Sequence, residues 1–160
     1  MKLTTAKRTF LALATTLALA PAAASAQDAN AEGITGTWNH QLTVRNCTTG
    51  AVIAQSFPTS SYVEGGVVIE LAPAPGPTLR TPSLGVWKYV GNQKYQMSMK
   101  YFRFNPDGSY AGKTIIDSDI THLRNDTLSQ VAVVRIFNAA GGQIASGCAT
   151  LTSVRFTGDN

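Results

Sequence analysis

Residues 37–47 read TWNHQLTVRNC, in which apolar and polar side chains alternate as in a half-buried β-strand. No segment beyond residue 30 shows a helical repeat of apolar side chains. Short alternating or β-branched runs follow instead, and turn signals such as Pro106-Asp107-Gly108 separate them. The pattern predicts an all-β chain with eight strands, over 37–47, 51–57, 67–71, 84–90, 94–105, 109–123, 128–138 and 143–156, and a loop over 58–66.

Eight antiparallel strands with mostly short connections suit an up-and-down β-barrel, because closure removes the exposed edges of a sheet. Closure pairs the first strand with the last. If Cys47 lies opposite Cys148, paired residue numbers sum to 195, and Trp38 then falls opposite Thr157, one diagonal step from Arg155. Since Trp38 and Cys47 are nine residues apart, an inward Trp38 places Cys47 on the outer wall.

The cysteine content predicts one disulfide, between Cys47 and Cys148, the only two cysteines of the chain. The alternative is a pair of free buried thiols. A metal site is not expected, because the two cysteines and the two histidines, His40 and His122, have no close ligand spacing.

The N-terminus predicts export. Lys2, Lys7 and Arg8 precede an apolar run over 10–20, and the Ala24-Ser25-Ala26 triplet is typical of a cleavage site. The run is too short for a membrane anchor, which needs about 20 apolar residues. We therefore predict a signal peptide over 1–26, a flexible leader over 27–33 and one barrel domain over 34–157, in a periplasmic or secreted protein with no membrane association after cleavage.

The charge balance of the exported chain gives no indication of a basic binding surface. It has ten Lys and Arg (13 less the three in the signal peptide) against nine Asp and Glu, a net charge of +1. A nucleic-acid or acidic-membrane partner is therefore not expected.

The chain resembles the calycin superfamily, which includes lipocalins and avidins, in Gly36-Thr37-Trp38 and in Arg155 near the end of the last strand. The resemblance implies that Trp38 plugs the closed end of the barrel and that Arg155 packs across it. Residues 33–38, with Gln41 and Leu42, are similar to the opening of avidin-family barrels such as streptavidin. That family boxes biotin with several tryptophans, whereas the exported chain has two, so biotin is not the expected ligand.

Alternation also predicts the lining of the barrel lumen. An inward Trp38 is followed by other inward positions on the first strand, and the fourth and fifth strands each present an aromatic or methionine-bearing face, with a bulge expected near 101–102. Methionines beside aromatics make an adaptable apolar surface. The alternative is that these side chains fill the barrel completely. The predicted ligand-binding residues are His40, Leu42, Val44, Trp87, Tyr95, Met97, Met99 and Tyr101.

Two residues are candidates for acid–base chemistry. His40 could exchange a proton with a buried ligand, or could be a satisfied core histidine. Glu70 lies between Ile69 and Leu71, and would have a raised pKa in a dry lumen, but could equally face solvent. The proline-rich segment 72–83 is the only long connection at the open mouth. It forms either a lid or a tolerated insertion.

These observations favour noncatalytic binding of a small, largely apolar ligand in the lumen, without a cofactor and with the oligomeric state left open. The alternative is a cyclase or isomerase that folds a flexible apolar substrate into a reactive shape, as some calycin-like barrels do. A second alternative is a protein-binding barrel such as a periplasmic protease inhibitor, which predicts a filled lumen and an exposed apolar rim.

Overall fold

The computed structural model describes residues 33–73, 75–76 and 78–158. The predicted signal peptide and all but the last residue of the predicted leader lie outside these residues. The described chain is all-β, as expected, and every strand pairing is antiparallel. Its nine strands are β1 Gly36–Arg45, β2 Val52–Ser56, β3 Thr59–Val63, β4 Val67–Leu71, β5 Ser83–Gly91, β6 Lys94–Phe104, β7 Tyr110–Leu123, β8 Thr127–Phe137 and β9 Gln143–Arg155.

One sheet closes on itself and confirms the eight-stranded barrel. Strands β3 to β9 pair in chain order, and β1 pairs with β9 on one side and with β2 and β3 on the other. Strands β2 and β3 share one register against β1. Leu42 pairs with Ser56 on β2 and Asn39 pairs with Thr59 on β3, so the paired residue numbers sum to 98 in both cases. The two therefore act as one interrupted strand, and nine segments make eight positions around the barrel.

The loop predicted over 58–66 is wrong over most of its length, since β3 occupies Thr59–Val63. Pro58 suggested a break because it has no backbone N–H to give to a sheet. It contributes its carbonyl instead, which accepts a hydrogen bond of 2.9 Å from the amide of His40. The break is thus local, and pairing with β1 resumes one residue later.

The closing register differs from the expected one by two residues. Trp38 lies directly opposite Arg155, and Arg45 lies opposite Cys148, so paired numbers sum to 193 rather than 195. The Cys47–Cys148 disulfide forms nonetheless, with the two Cα atoms 5.0 Å apart. A side-chain bridge needs only this proximity and does not require directly opposed positions. Cys148 alternates with the inward-facing Ala149, so the bond lies on the outer wall.

The closed end of the barrel is a packed apolar floor. The indole N–H of Trp38 donates to the Ile34 carbonyl at 2.8 Å, and the Arg155 guanidinium lies 4.2 Å from the centroid of the Trp38 ring. Arg155 also donates to Asp126, and this hydrogen bond lowers the pKa of that carboxyl group to about 2. The other buried apolar residues here are Tyr62, Val68, Trp87, Tyr95, Ile120 and Leu128.

Gly36 and Gly85 allow close approaches of the chain. Gly36 has φ +121°, and a Cβ there would lie 2.7 Å from Nη1 of Arg155. At Gly85 a Cβ would lie 2.2 Å from the backbone oxygen of Ser98 on the neighbouring strand. Glycine is therefore required at both positions.

Among the described residues no helix has the length and apolar character needed to cross a membrane.

Candidate functional site

The lumen above this floor contains a cavity of about 280 Å³ that opens toward the mouth of the barrel. It is mostly apolar, with a few polar side chains at defined positions, as is typical of small-molecule sites. Most of its apolar lining comes from β1 and from β6 to β9: Leu42, Val44, Met97, Met99, Ile116, Ala132, Val134, Ile136 and Leu151. The barrel is therefore not packed solid.

The structure brings most of the predicted ligand-binding residues together around this cavity: His40, Leu42, Val44, Met97, Met99 and Tyr101. Trp87 and Tyr95 lie outside its lining, in the packed floor. The indole N–H of Trp87 donates to the carbonyls of Val63 and Val67, which holds the ring against the floor.

The bulge expected near 101–102 lies instead between Arg103 and Phe104, where β6 slips against β7. The alternation of β6 therefore continues unbroken from Tyr95 to Arg103, and Tyr101 keeps the same face as Met97 and Met99. Because the alternation is unbroken, Tyr101 adds one more inward side chain to the cavity lining, toward the mouth of the barrel.

His40 is a buried polar group of the cavity wall, and only 3% of its surface is exposed. Its Nδ1 atom lies 2.5 Å from the Ser153 hydroxyl and 3.4 Å from the side-chain nitrogen of Gln130. Burial lowers the pKa of His40 to about 4, so the ring is neutral at pH 7.

The hydrogen bonds around His40 indicate which ring nitrogen carries the proton. The amide nitrogen of Gln130 faces His40 and lies 3.3 Å from the Ser153 hydroxyl, while the amide oxygen lies on the side of the Ser118 hydroxyl. An amide N–H group can only donate, so this contact favours Nδ1 of His40 as the acceptor and Nε2 as the nitrogen that carries the proton. That Nε2 atom is buried and has no hydrogen-bond partner within the described chain.

A buried ion pair forms the second polar group of the cavity. The Arg80 guanidinium donates to Oε1 of Glu70 at 3.1 Å and to the Ser83 hydroxyl at 2.6 Å, and Ser83 donates to the same Glu70 oxygen. Side-chain exposure is 7% for Arg80 and 5% for Glu70, so Glu70 does not face solvent. The guanidinium also stacks 3.7 Å from the centroid of the Tyr101 ring.

Arg80 reaches the lumen because the connection between β4 and β5 is tied to β6. The amide of Thr81 donates to the Phe102 carbonyl, and the amide of Phe104 donates to the Leu79 carbonyl. This short pairing gives Arg80 an inward position beside Tyr101. Sequence reasoning missed Arg80, because a proline-rich segment has no periodicity from which to assign an inward side chain.

Tyr62 lies between the two polar groups. Burial raises its pKa, the nearby Glu70 charge raises it further, and a hydrogen bond from Gln130 acts in the opposite direction. The phenol therefore stays protonated at neutral pH, and its hydroxyl also faces the Met97 sulfur at 3.8 Å.

A larger depression of about 800 Å³ spans the five strands β5 to β9, and it is more open to solvent than the lumen. Its carboxylates have protein partners, since Asp117 accepts from Ser98 and pairs with Arg135, and Asp119 accepts from Gln96. The polar groups of this depression therefore satisfy one another, and the lumen is the better candidate for a ligand site. Across the described ranges, no group of three His, Cys, Asp or Glu side chains could hold a metal ion.

Comparison with known proteins adds no relationship: no protein-family model matches the chain, and no curated protein matches it.

Proposed function

We propose that this protein binds a small, largely apolar molecule in its barrel lumen, outside the cytoplasm. The observation that carries the proposal is the cavity of about 280 Å³, lined mostly by apolar side chains above a packed floor. A cavity of about 150 Å³ accommodates benzene, so this one suits a molecule of roughly ten non-hydrogen atoms. The flexible side chains of Met97 and Met99 would adapt to its shape.

Two further observations support the context of this function. The disulfide is the chemistry of an oxidising compartment, which agrees with the predicted export to the periplasm or the exterior. The stacking of Arg155 on Trp38 at the closed end supports kinship with the calycin superfamily, whose lipocalin-like members carry ligands in the lumen.

The first test identifies the ligand and locates it. Native mass spectrometry of protein purified from its own source should reveal a co-purified small molecule, and naphthalene fluorescence should report lumen binding by the purified protein. Ala132 lines the cavity, whereas the adjacent Val131 is exposed on the outer wall. Ala132→Phe should abolish naphthalene binding and Val131→Phe should leave it unchanged. Equal binding by both variants would contradict a lumen site.

We propose acid–base catalysis on a flexible apolar substrate, as in a cyclase or isomerase, as the second candidate function. The observation in its favour is that His40 and Glu70 both line one desolvated cavity, a combination that simple carriage does not require. A protein-binding barrel predicts a filled lumen, so the cavity favours the first two functions over the third.

Proton exchange tests the catalytic candidate without knowledge of the substrate. If His40 or Glu70 acts as a base, the protein should accelerate hydrogen–deuterium exchange beside the carbonyl of a small methyl ketone in D₂O. The acceleration should disappear in Glu70→Gln or His40→Gln. If the folded wild-type protein gives no acceleration above buffer, this chemistry is excluded for that substrate class.

A further inference from the structure

Two of the buried polar atoms without a partner in the described chain belong to residues that line the same cavity. Four such side-chain atoms exist among the described residues: His40 Nε2, Ser56 Oγ, Arg103 Nε and Thr114 Oγ1. Of the residues that carry them, His40 and Ser56 line the cavity. Native proteins leave very few buried polar groups unpaired, because each costs about 1–3 kcal/mol.

The two residues lie on neighbouring strands of the same wall. Ser56 pairs with Leu42, two residues beyond His40 on β1, so Ser56 and His40 occupy diagonal positions on neighbouring strands and share the inward face. Both can donate: His40 through Nε2–H, in the tautomer that the Gln130 contact favours, and Ser56 through its hydroxyl. A carbonyl oxygen has two lone pairs and can accept from both donors.

The charges around the cavity indicate that the ligand is neutral. Arg80 is matched by Glu70, so the buried ion pair adds no net charge to the lumen. His40 is neutral at pH 7. A carboxylate or ammonium ligand would therefore bring an uncompensated charge into a desolvated site, which is strongly unfavourable.

We propose that the lumen binds a neutral molecule of roughly ten non-hydrogen atoms that carries a carbonyl group, with the carbonyl oxygen held by His40 Nε2–H and the Ser56 hydroxyl. The apolar remainder lies against Met97, Met99 and Leu151. This inference rests on the proposed function, since it names the substrate class of the same cavity. Free fatty acids and amines are excluded by it, although an apolar lumen alone would admit their tails.

Three probes of the same shape test the inference: 4-phenylbutan-2-one, 3-phenylpropanoate and isopentylbenzene. All three carry the same phenylethyl group. The first ends in a methyl ketone, the second in a carboxylate and the third in a branched hydrocarbon. Calorimetry at pH 7 should give a dissociation constant for the carboxylate at least about a hundredfold higher than for the ketone, because of the cost of burying its charge.

Variants separate the hydrogen bonds from general apolar binding. Ser56→Ala should weaken the ketone about fivefold to tenfold and change the hydrocarbon by less than about threefold. This variant should fold normally, since the Ser56 hydroxyl has no partner in the described chain. His40→Phe should weaken the ketone at least as much. Ser129→Ala, on the exposed outer face of β8, is the control and should change neither probe.

Two spectroscopic measurements on the unmodified protein complete the test. The infrared band of ¹³C-carbonyl-labelled ketone should move to lower frequency on binding, relative to the ketone in alkane, and return in Ser56→Ala. In ¹⁵N-histidine-labelled protein, which has only His40 and His122, the His40 signal should report a proton on Nε2.

The outcomes distinguish the two proposals. If none of the three probes binds, the proposed function fails. If the probes bind but Ser56→Ala changes ketone and hydrocarbon equally, the carbonyl band is unshifted, or the carboxylate binds more tightly than the ketone, then the lumen binds apolar molecules and the carbonyl inference is overturned.

Discussion

At the scale of single residues, the lumen combines two buried polar groups of different character. His40 is a neutral donor held by neighbouring hydrogen bonds, and Glu70 and Arg80 form an ion pair that cancels its own charge. Both groups are desolvated, so each is sensitive to the loss of its partners. That sensitivity leads to two predictions that do not depend on the identity of the ligand.

The first prediction concerns the ion pair. Arg80→Met should lower the free energy of unfolding by about 3–5 kcal/mol, because Glu70 is then a buried charge without its partner. Adding Glu70→Gln should restore much of that loss, since the charge is removed. The matched control is Arg135→Met, which breaks the half-exposed pair with Asp117 and should cost no more than about 1 kcal/mol. Urea unfolding measures all three. Equal losses for Arg80→Met and Arg135→Met would contradict the buried pair.

The second prediction concerns the pH dependence of stability. The pKa of His40 is about 4 in the folded protein and about 6.5 in the unfolded chain. Between these values the unfolded chain binds one more proton than the folded protein. The free energy of unfolding should therefore fall by about 3 kcal/mol as the pH drops from 6.5 to 4, and this group adds no pH dependence above that window.

Urea unfolding of the wild type and of His40→Gln between pH 4 and 7.5 checks this. The variant should lack most of the slope between pH 4 and 6.5, because glutamine does not titrate. If both proteins lose stability in parallel over that window, another group is responsible and His40 is not buried as described.

At the scale of the strands, alternation of side chains predicted much of what the structure contains. It placed Met97, Met99 and Tyr101 on one inward face, and their strand runs Lys94–Phe104 as expected to within one residue. Period-2 patterns identify faces because each strand buries one side against the lumen. The disulfide followed from the presence of only two cysteines.

What alternation missed depends on contacts between segments distant in sequence. Pro58 looks like a strand end locally, yet β1 continues to pair on both sides of it. Arg80 enters the lumen only because Thr81 and Leu79 bond to β6, more than twenty residues later. The closing register was two residues off because a disulfide tolerates diagonal positions. None of these features has a local periodic signal.

The packing of β5 against β6 gives the third prediction. Gly85→Ala should lower the free energy of unfolding by about 1–3 kcal/mol or more, because the new Cβ would meet the Ser98 oxygen at 2.2 Å and the Met99 Cβ at 2.5 Å. Neither atom can move without shifting β6. The control is Gly76→Ala, where no atom lies within 4 Å, and this variant should be neutral or slightly more stable. Thermal unfolding compares them, and an unaffected Gly85→Ala protein would contradict the close strand approach.

At the scale of the whole molecule, the barrel is closed at the seam between β1 and β9, which pairs the first and last strands of the described chain. The rest of the barrel is built from neighbours in sequence. The seam is therefore the contact with the largest sequence separation, and forming it costs the most chain entropy. The disulfide lies at the mouth end of this seam, where Cys148 is opposite the last residue of β1.

The last prediction follows from that position. The bond joins residues 101 apart, so in the chain-entropy model it stabilises the folded protein by about 4–5 kcal/mol. The Cys47→Ser/Cys148→Ser double variant should lose stability of that order. Hydrogen exchange of amides in β1 and β9 should accelerate more than exchange in β6 and β7. Without the disulfide, the pairing between β1 and β9 is expected to open before the other strand pairings. Since the disulfide is on the outer wall, the folded double variant should keep its affinity for naphthalene. Uniform acceleration across all strands would show that the barrel opens only as a unit and that the bond does not specifically protect the seam.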